Sequence, residues 1–563
     1  MFKKNTKHLQ TDMFGLQNTM PESLMKHAVK YAEHYFYYII FCNIKEEIFS
    51  ILYSDKKSRP NAPINAMVAA LLLQNRHRWT YEEVFKNMRF NLLIRMALGL
   101  DDLETMPFCP ATLFNFQNRL NDHFIRTGEN LLETVFDNLT EKQLKELNIK
   151  TDIQRTDSTF AASNIRNFSR LQLLVELLIR IYRILSEEDK SLVRERFESY
   201  VKKTSGQYIY KLEVSDIPHE LEKIAELYLW INQNIRPAYS QISLFKTFER
   251  VFTEHFTVLE ETVQVKSKDE LHSGCIQSPD DLDATYRDKN GKKSKGQVIN
   301  IVETANPDNP INLITDIVVA PNNKDDSKIL NERIDHIKEK TPDLNELHMD
   351  GGYGSSENDR KFKEHEIVPV QSDMRGKKPT VPIEIEQTKE DEFIVSCPYQ
   401  KVKSQKCKKR FKAEFDLLIC NKCDNRAECS SNQRAKCRTY YFTLEDHLRK
   451  RRLKYRASIP ADRLKLRNNV EATVNEFVCR MPKGKLKVRG AFKTEVFAFA
   501  VAISSNFGRI YRYITNDIEL GISSFGTFFD YFKEQIRFFV FTKIFNFKLC
   551  HELAFGDVSF ASF

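Results

Sequence analysis

Glycine and proline are scarce in this chain, 17 and 18 of 563 residues, which excludes long flexible linkers and proline-rich spacers. No apolar run approaches the roughly 20 residues of a bilayer-spanning helix. The best of them, FYYIIFCNI and VFAFAVAISSNFG, stop well short. The first residues, MFKKNTKHLQTDMF, contain no apolar signal core, so a cytoplasmic protein without a membrane partner is expected. Hydrophobic residues at 41% and aromatics at 11% exclude a largely disordered chain, and the length allows about three or four domains.

The net charge of +9, from 86 basic and 77 acidic residues, is modest for this length. Its distribution says more. Cys397 to Lys412 holds seven Lys or Arg and no acid, His447 to Arg456 six, and Arg480 to Lys493 another six. Solvated faces usually mix their signs, so three single-sign blocks point to a polyanion partner, nucleic acid above all. The tip of the first block, Lys408, Lys409 and Arg410, is a candidate contact.

Six of the eleven cysteines lie between residues 397 and 437. In a cytosolic chain that is no disulfide framework. Cys420-x2-Cys423 is a knuckle in which two thiolates can bind one tetrahedral ion, and Cys397 with Cys429 would complete four sulfur ligands for a structural Zn²⁺. Free thiols are the plainer alternative, and Cys407 and Cys437 compete for the ligand places. A closed four-thiolate site leaves no position for water, so no catalytic role is expected.

Apolar spacing predicts helices over residues 20 to 145, with Asn61-Ala-Pro-Ile resembling a capped helix start. FCPATLFNFQNRLNDHF within this region would expose Asn115, Asn118 and Arg119, as the second helix of a helix-turn-helix does; an ordinary amphipathic bundle helix fits the pattern equally well. Residues 165 to 265 form a second helical block with no chemical signature. Then the pattern alternates: KGQVINIVET and INLITDIVVA as strands, DDSKILNERIDHIKEKT as a helix with acids at its start, LNELHMD as a strand, GGYGSSEN as a turn and EIVPVQ as another strand. This is a mixed sheet flanked by helices.

Two acids stand out. LNIKTDI reads as a short strand that ends near Asp157 in QRTDSTF, and LNELHMD ends at Asp350 before a glycine turn. Each could simply close a strand by bonding nearby N–H groups. If the strands are neighbours, however, the carboxylates share an edge, repel, and call for a divalent cation between them; Mg²⁺ favours few carboxylates plus phosphate oxygens. ADRLKLRNNVEATVNEFVCR reads as a helix with Leu464, Arg467 and Glu471 on one stripe. Arg467 and Glu471 are either a surface i,i+4 pair worth about 0.3–0.5 kcal/mol or a third carboxylate with its phosphate-contacting partner. His348 is expected to point away from Asp350 and to be structural.

These segments resemble the acidic motifs of DDE transposases from bacterial insertion sequences: TDST at 156–159, HMDGGYGSSEN at 348–358 and RNNVE at 467–471. SRPNAPINAMVAALLLQNRHRWTYEEV with FCPATLFNFQNRL is similar to their helical DNA-binding region, and DLDATYRDKNGKKSKGQVINIVET to the run into their second strand. The cysteine cluster is similar to one found before the catalytic Glu in a subset of the family. One departure is clear. Where relatives read Tyr-x2-Arg-x3-Glu-x6-Lys, Leu464 and Val478 stand in the Tyr and Lys places, so Arg480 or Lys483 would take over the phosphate contact.

The resemblance implies a mixed α/β, RNase H-like catalytic core split over 146–162, 266–385 and 455–515. Around it would lie a large all-α DNA-binding region (1–145), a helical insertion (163–265), a small basic zinc module (386–454) and a helical tail (516–563). It implies catalytic Asp157, Asp350 and Glu471 holding two Mg²⁺ or Mn²⁺ ions. It also implies double-stranded DNA as partner, at inverted repeats and target, a dimer or larger synaptic assembly, and a place on the bacterial nucleoid. The rival expectations are an inactive zinc-containing DNA-binding regulator and a nuclease of the same fold that lacks strand transfer.

Overall fold

The computed structural model describes residues 1–9, 15–54, 56, 59–260, 262–289, 291–372, 381–389 and 391–519; beyond residue 519 the expected tail lies outside them. The N-terminal region is helical: α1 (Ala32–Ile39), α2 (Ile64–His77), α3 (Tyr81–Phe90), α4 (Leu92–Ala97), α5 (Pro110–Thr127) and α6 (Leu131–Glu146). α2 is buried from Ile64 to Leu73 on every side, as a helix at the centre of a bundle must be. Its start is not capped by Asn61. The buried Glu46 carboxylate accepts the Ile64 N–H at 3.1 Å, and the Asn5 N–H at 2.9 Å, an anion at the positive end of the helix.

α5 begins with Pro110 in its first turn and closes on Gly128 at φ 78°, the left-handed position that glycine takes without cost. It buries Leu113, Phe116, Leu120 and His123, leaving Asn115, Asn118 and Arg119 exposed. Residues 98–109 separate it from α4, while Asn91 alone separates α3 from α4. Neither connection is the three- or four-residue turn of a helix-turn-helix, so α5 is an amphipathic bundle helix with a polar outer face.

β1 (Ile153–Ala162) leads into the insertion, whose main helices are α7 (Arg170–Ile184), α8 (Glu187–Val201), α9 (Ile217–Asn234) and α10 (Ser243–His255). These helices close on a separate core that includes Leu174, Leu178, Phe197, Tyr228, Phe248 and Val251. The chain returns through β2 (Lys292–Thr304), β3 (Ile314–Pro321), α11 (Asp326–Lys340), β4 (Glu346–Met349), α12 (Ser356–Glu364) and β5 (Val368–Gln371). The strands lie in the order β3-β2-β1-β4-β5, and Thr285–Lys289 pairs with the start of β2. β2 is antiparallel to β1 and to β3, whereas β4 is parallel to β1 and β5 parallel to β4. The protein is thus mixed α/β.

Next comes an antiparallel sheet, β6 (Glu384–Lys389), β7 (Glu392–Ser396), β8 (Lys401–Cys407), β9 (Arg410–Asp416) and β10 (Cys437–Phe442), ordered β10-β9-β8-β7-β6, with Asn432–Gln433 on the outer edge of β10. Its small core contains Phe393, Val395, Phe411, Phe415 and Phe442. α13 (Leu444–Ser458), a short helix Ala461–Lys465, a 3₁₀ turn Leu466–Asn469, α14 (Val470–Val478) and α15 (Ala491–Glu519) complete the described chain. Among the described residues no helix is long and apolar enough to cross a membrane.

Strand alternation sorts the central sheet into two faces. Val302, Leu347 and Met349 pack under Leu330, Ile334 and Ile337 of α11 and Phe362 of α12. Ile299, Ile301, Ile314 and Ile317 pack on the other face in a core shared with α2, α6, α14 and α15, through residues such as Leu72, Phe136, Phe477, Phe499 and Ile503. The N-terminal helices therefore build their hydrophobic core against the sheet and α15.

Candidate active site

Asp157 is not at a strand end. β1 pairs with β2 without interruption from Gln154↔Thr304 to Ala162↔Gly296, and Asp157 sits opposite Ile301 in the middle. On its other side β1 pairs with β4 only over Ile153↔Glu346, Gln154↔Leu347 and Arg155↔His348. Asp157 and Asp350 each lie two residues beyond that last pair. The register sets them side by side where the parallel pairing ends, the place at which open α/β sheets bind ligands. His348, two residues before Asp350, shares its face; the expectation that it points away is overturned by the period of two.

A charged network lies under the pair. Arg155 donates to Glu303 at 2.7 Å and to the Leu466 carbonyl at 2.9 Å; Glu303 also accepts from Thr473 at 2.6 Å and from Arg509 at 2.8 Å. Arg155 and Glu303 are buried, their side chains 5% and 0% exposed. The Val470 N–H bonds to the Arg467 and Asn468 carbonyls instead of Leu466. So the expected continuous helix 461–480 is broken at the 3₁₀ turn, which frees the Leu466 carbonyl for Arg155. That turn delivers Arg467, whose Nη2 lies 2.8 Å from Asp157 Oδ2, while Asp157 Oδ1 accepts the Ser158 N–H at 2.8 Å. On β4, His348 and Glu346 bond at 2.6 Å, and Glu346 also pairs with Arg463 of the Ala461–Lys465 helix.

Burial pushes the Asp157 carboxyl above its ordinary value. Arg467 and the Ser158 N–H pull it down, and the charges of Asp350 and Asp326 push it up again. Asp326, the first residue of α11, accepts a bond from Ser158 Oγ at 2.9 Å. Asp350 Oδ1 accepts the Gly352 N–H at 2.7 Å. Behind the aspartates, Tyr353 is 1% exposed and its hydroxyl donates to Asn300 Oδ1 at 2.6 Å. Asn300 in turn bonds Thr156 Oγ1, at 3.2 Å through its amide nitrogen. This bridge ties the turn after Asp350 to the strand that carries Asp157. Gly354 lets that turn pack closely, since a Cβ there would stand 2.5 Å from the Gln371 amide nitrogen and displace that side chain.

Glu471 lies in the first turn of α14, exposed, one turn beyond Arg467. The helix docks through Val470, Thr473 and Phe477, not through the Leu464–Arg467–Glu471 stripe. The structure thus brings together Asp157, Asp350 and Arg467 and leaves Glu471 open at the rim. Among the described residues, the set of His, Cys, Asp and Glu ligand atoms lying within 4.8 Å of one another is Glu133, Asp137 and His336. Ion pairs from Arg333 to Glu133 and Asp316, and from Lys340 to Asp137, already join these residues. The carboxylates of Asp157, Asp350 and Glu471 do not all lie within that spacing of one another. The donors are all carboxylate oxygens, half-buried or exposed beside mutually repelling charge, which suits a hard divalent cation.

Cys397, Cys420, Cys423 and Cys429 line one small cavity of about 30 Å³, together with Tyr399, Arg426 and Arg438. Burial raises the Cys420 thiol, and Cys397 and Cys429 raise it further. Cys407 ends β8 and Cys437 starts β10, and neither lines the cavity. The donor chemistry suits a thiolate-binding ion, though no three of these sulfurs are within 4.8 Å of one another.

The expected DNA contacts are dispersed. Lys408, Lys409 and Arg410 sit exposed at the β8–β9 turn, with Arg410 over the Tyr441 ring at 4.0 Å. Arg119 lies over Tyr53 at 4.8 Å. Arg480 donates to the Glu476 carbonyl at 2.6 Å, and Lys483 is exposed with φ 56°. Residues that sequence reasoning did not single out are Arg155, Glu303, Asn300, Asp326 and Tyr353. For Glu303 and Asn300 the sequence signal was an acid and an amide set in an apolar strand; Asp326 read only as an acid at a helix start, and Arg155 and Tyr353 carried no signal.

Residues 30–119 match the family model described as a transposase domain (DUF772). The match supports a transposase. It spans α1 to the middle of α5, the helices that share their core with the sheet carrying Asp157. No curated protein and no solved structure matches the chain.

Proposed function

We propose that this transposase is of the DDE type: it binds the terminal inverted repeats of an insertion sequence, cuts the DNA ends and joins them to target DNA. The observation that carries the reading is the β1–β4 register, whose last pair, Arg155↔His348, leaves Asp157 and Asp350 each two residues further on, in a chain whose N-terminal helices match a transposase domain. The strand order β3-β2-β1-β4-β5, with β2 antiparallel and β4 parallel to β1 and β5 parallel to β4, agrees with an RNase H-like core interrupted by the insertion.

In this reading Asp157, Asp350 and Glu471 hold two Mg²⁺ or Mn²⁺ ions. Bound, these supply Lewis acidity at the attacking and leaving oxygens of an in-line phosphoryl displacement. The chain's own part is charge placement. Arg155 fixes the turn at Leu466, Arg467 orients Asp157 and offers guanidinium N–H groups to a phosphate, and Tyr353 holds the Asp350 turn. Glu471, exposed one turn beyond Arg467, would supply the third carboxylate from the rim. Cys397, Cys420, Cys423 and Cys429 hold a structural Zn²⁺ that stiffens a basic module against DNA. Synapsis of two ends calls for at least a dimer, working in the cytoplasm on the nucleoid.

The test uses duplexes that carry the inverted repeats flanking the coding sequence, incubated with full-length protein and Mg²⁺. Nicking at the repeat boundary is expected, with Asp157→Asn reduced by about 10²–10³-fold, the scale of losing one preorganised electrostatic group in a site of this kind. Cutting by Asp157→Asn at the parent rate would refute the site. Pre-cut ends plus a target plasmid separate a transposase, which yields joined product, from a nuclease, which does not. A regulator would bind the same repeats without cutting.

A further inference from the structure

The third basic block of the sequence, Arg480 to Lys493, leads directly from the candidate site. Ala162, the last residue of β1, bridges to Lys485 in parallel, and the Leu486 N–H donates to the Ala162 carbonyl at 2.8 Å. The block therefore continues the sheet from the strand that carries Asp157. Ala162 is five residues past Asp157, roughly 17 Å along an extended strand and about five base pairs along B-DNA.

The end of α2 meets this block. Lys487 Nζ lies 3.4 Å from the Arg78 carbonyl. Arg78 is exposed and held at φ 60°, a left-handed conformation costly for a residue with a Cβ. Lys483, also exposed and basic, is held at φ 56°. Arg76 and Arg512 converge as well: each has an Nη1 3.6 Å from where a Cβ on Gly508 would stand, so twice that distance bounds their separation. Burial acts against the charge of Arg76 and Glu33 supports it, while Arg480 and Arg512 both oppose it. The acids within reach, Glu33, Glu83, Glu476 and Asp280, are fewer than these cations.

Strain at two basic residues and like charges held together are both unfavourable in the free protein. A regularly spaced polyanion relieves the repulsion. We infer that Arg76, Arg78, Arg480, Lys483, Lys487 and Arg512 form one phosphate-binding track for duplex DNA, beginning about five base pairs from the cleaved bond. The inference rests on the DNA reading above and adds the path of the duplex and the participation of α2.

Binding of labelled duplexes to the full-length protein by fluorescence anisotropy, over a salt series, tests it. One duplex contains the inverted repeat and one an unrelated sequence of the same length. Each lost phosphate contact should flatten the slope of log K against log salt by about 0.9. Arg78→Ala/Lys483→Ala/Lys487→Ala should thus lower the slope by up to about 2.7 and weaken binding. A loss on the repeat duplex alone supports the track and assigns it to the element end, and an equal loss on both supports it as sequence-independent. Arg78→Gly separates binding from fold: relief of the left-handed strain should raise the melting temperature while affinity falls. Parent-like affinity and slope in both variants, with the parent itself binding and cutting DNA, would overturn the track and leave the transposase reading standing. A parent that binds no duplex at low salt would overturn both.

Discussion

Replacing Arg155 by Met tests how the site is supported. The guanidinium is buried, bonded to Glu303 at 2.7 Å and to the Leu466 carbonyl at 2.9 Å. Breaking a buried ion pair by removing one partner costs about 3–5 kcal/mol, chiefly because the other charge is stranded. Glu303 is not wholly stranded here, since Arg509 at 2.8 Å and Thr473 at 2.6 Å remain. The cost should therefore fall at the lower end, about 3 kcal/mol. Glu303→Gln should cost more, because it strands buried Arg155 and leaves half-buried Arg509 with only Glu476, at 3.4 Å, as counter-charge. Arg155→Met with Glu303→Leu should cost less than the two single changes added, because neither charge is left stranded. Thermal melting and native-state hydrogen exchange over β1, β2 and α14 give the order. The Leu466 carbonyl also loses its donor in Arg155→Met, so Arg467 should no longer be held at Asp157, and nicking should fall beyond what the loss of folded protein explains. If Arg155→Met melts with the parent and keeps its rate, the network does not support the site.

Other perturbations have equally definite outcomes. Glu495 is pushed up to about 7 by burial against α6, where Asn130 bonds it at 2.9 Å. A carboxyl raised above its unfolded value near 4.3 favours the fold when protonated, and that contribution is lost as pH rises towards 7. Glu495→Gln should therefore melt above the parent at pH 8 and no higher at pH 4.5; an equal gain at both values would refute the assignment. Tyr353→Phe removes the bond to Asn300, costing about 1 kcal/mol, and should raise the Mg²⁺ concentration needed for half-maximal nicking; an unchanged requirement would leave Tyr353 a packing residue only. Cys420→Ser or Cys423→Ser should abolish bound zinc by metal analysis of the purified protein, whereas Cys407→Ser and Cys437→Ser should retain it. Loss in the latter pair alone would move the ligand set.

Much of the architecture was legible from local pattern. The short apolar run KGQVINIVET, buried on both faces of the sheet, the acid-started helix DDSKILNERIDHIKEKT and the Cys-x2-Cys knuckle are properties of short stretches, and pleat and helix periods are set by backbone geometry within a few residues. The position of Asp157 was not legible in that way. Where β1 ends depends on its ladder with β2, formed by residues some 140 positions later, so a carboxylate read at a strand end stands in mid-strand beside a partner strand that stops early. The break before α14 likewise sets the Leu466 carbonyl against a remote donor, Arg155, 311 positions earlier. Sequence alone determined which chemical groups this protein has: acids in apolar strands, clustered thiols and runs of cations. Tertiary structure decided which of them meet. It aligned Asp157 with Asp350, set Arg467 on the first of them, left Glu471 at the rim and joined α2 to the third basic block, because register and packing between distant segments are not encoded in either segment alone.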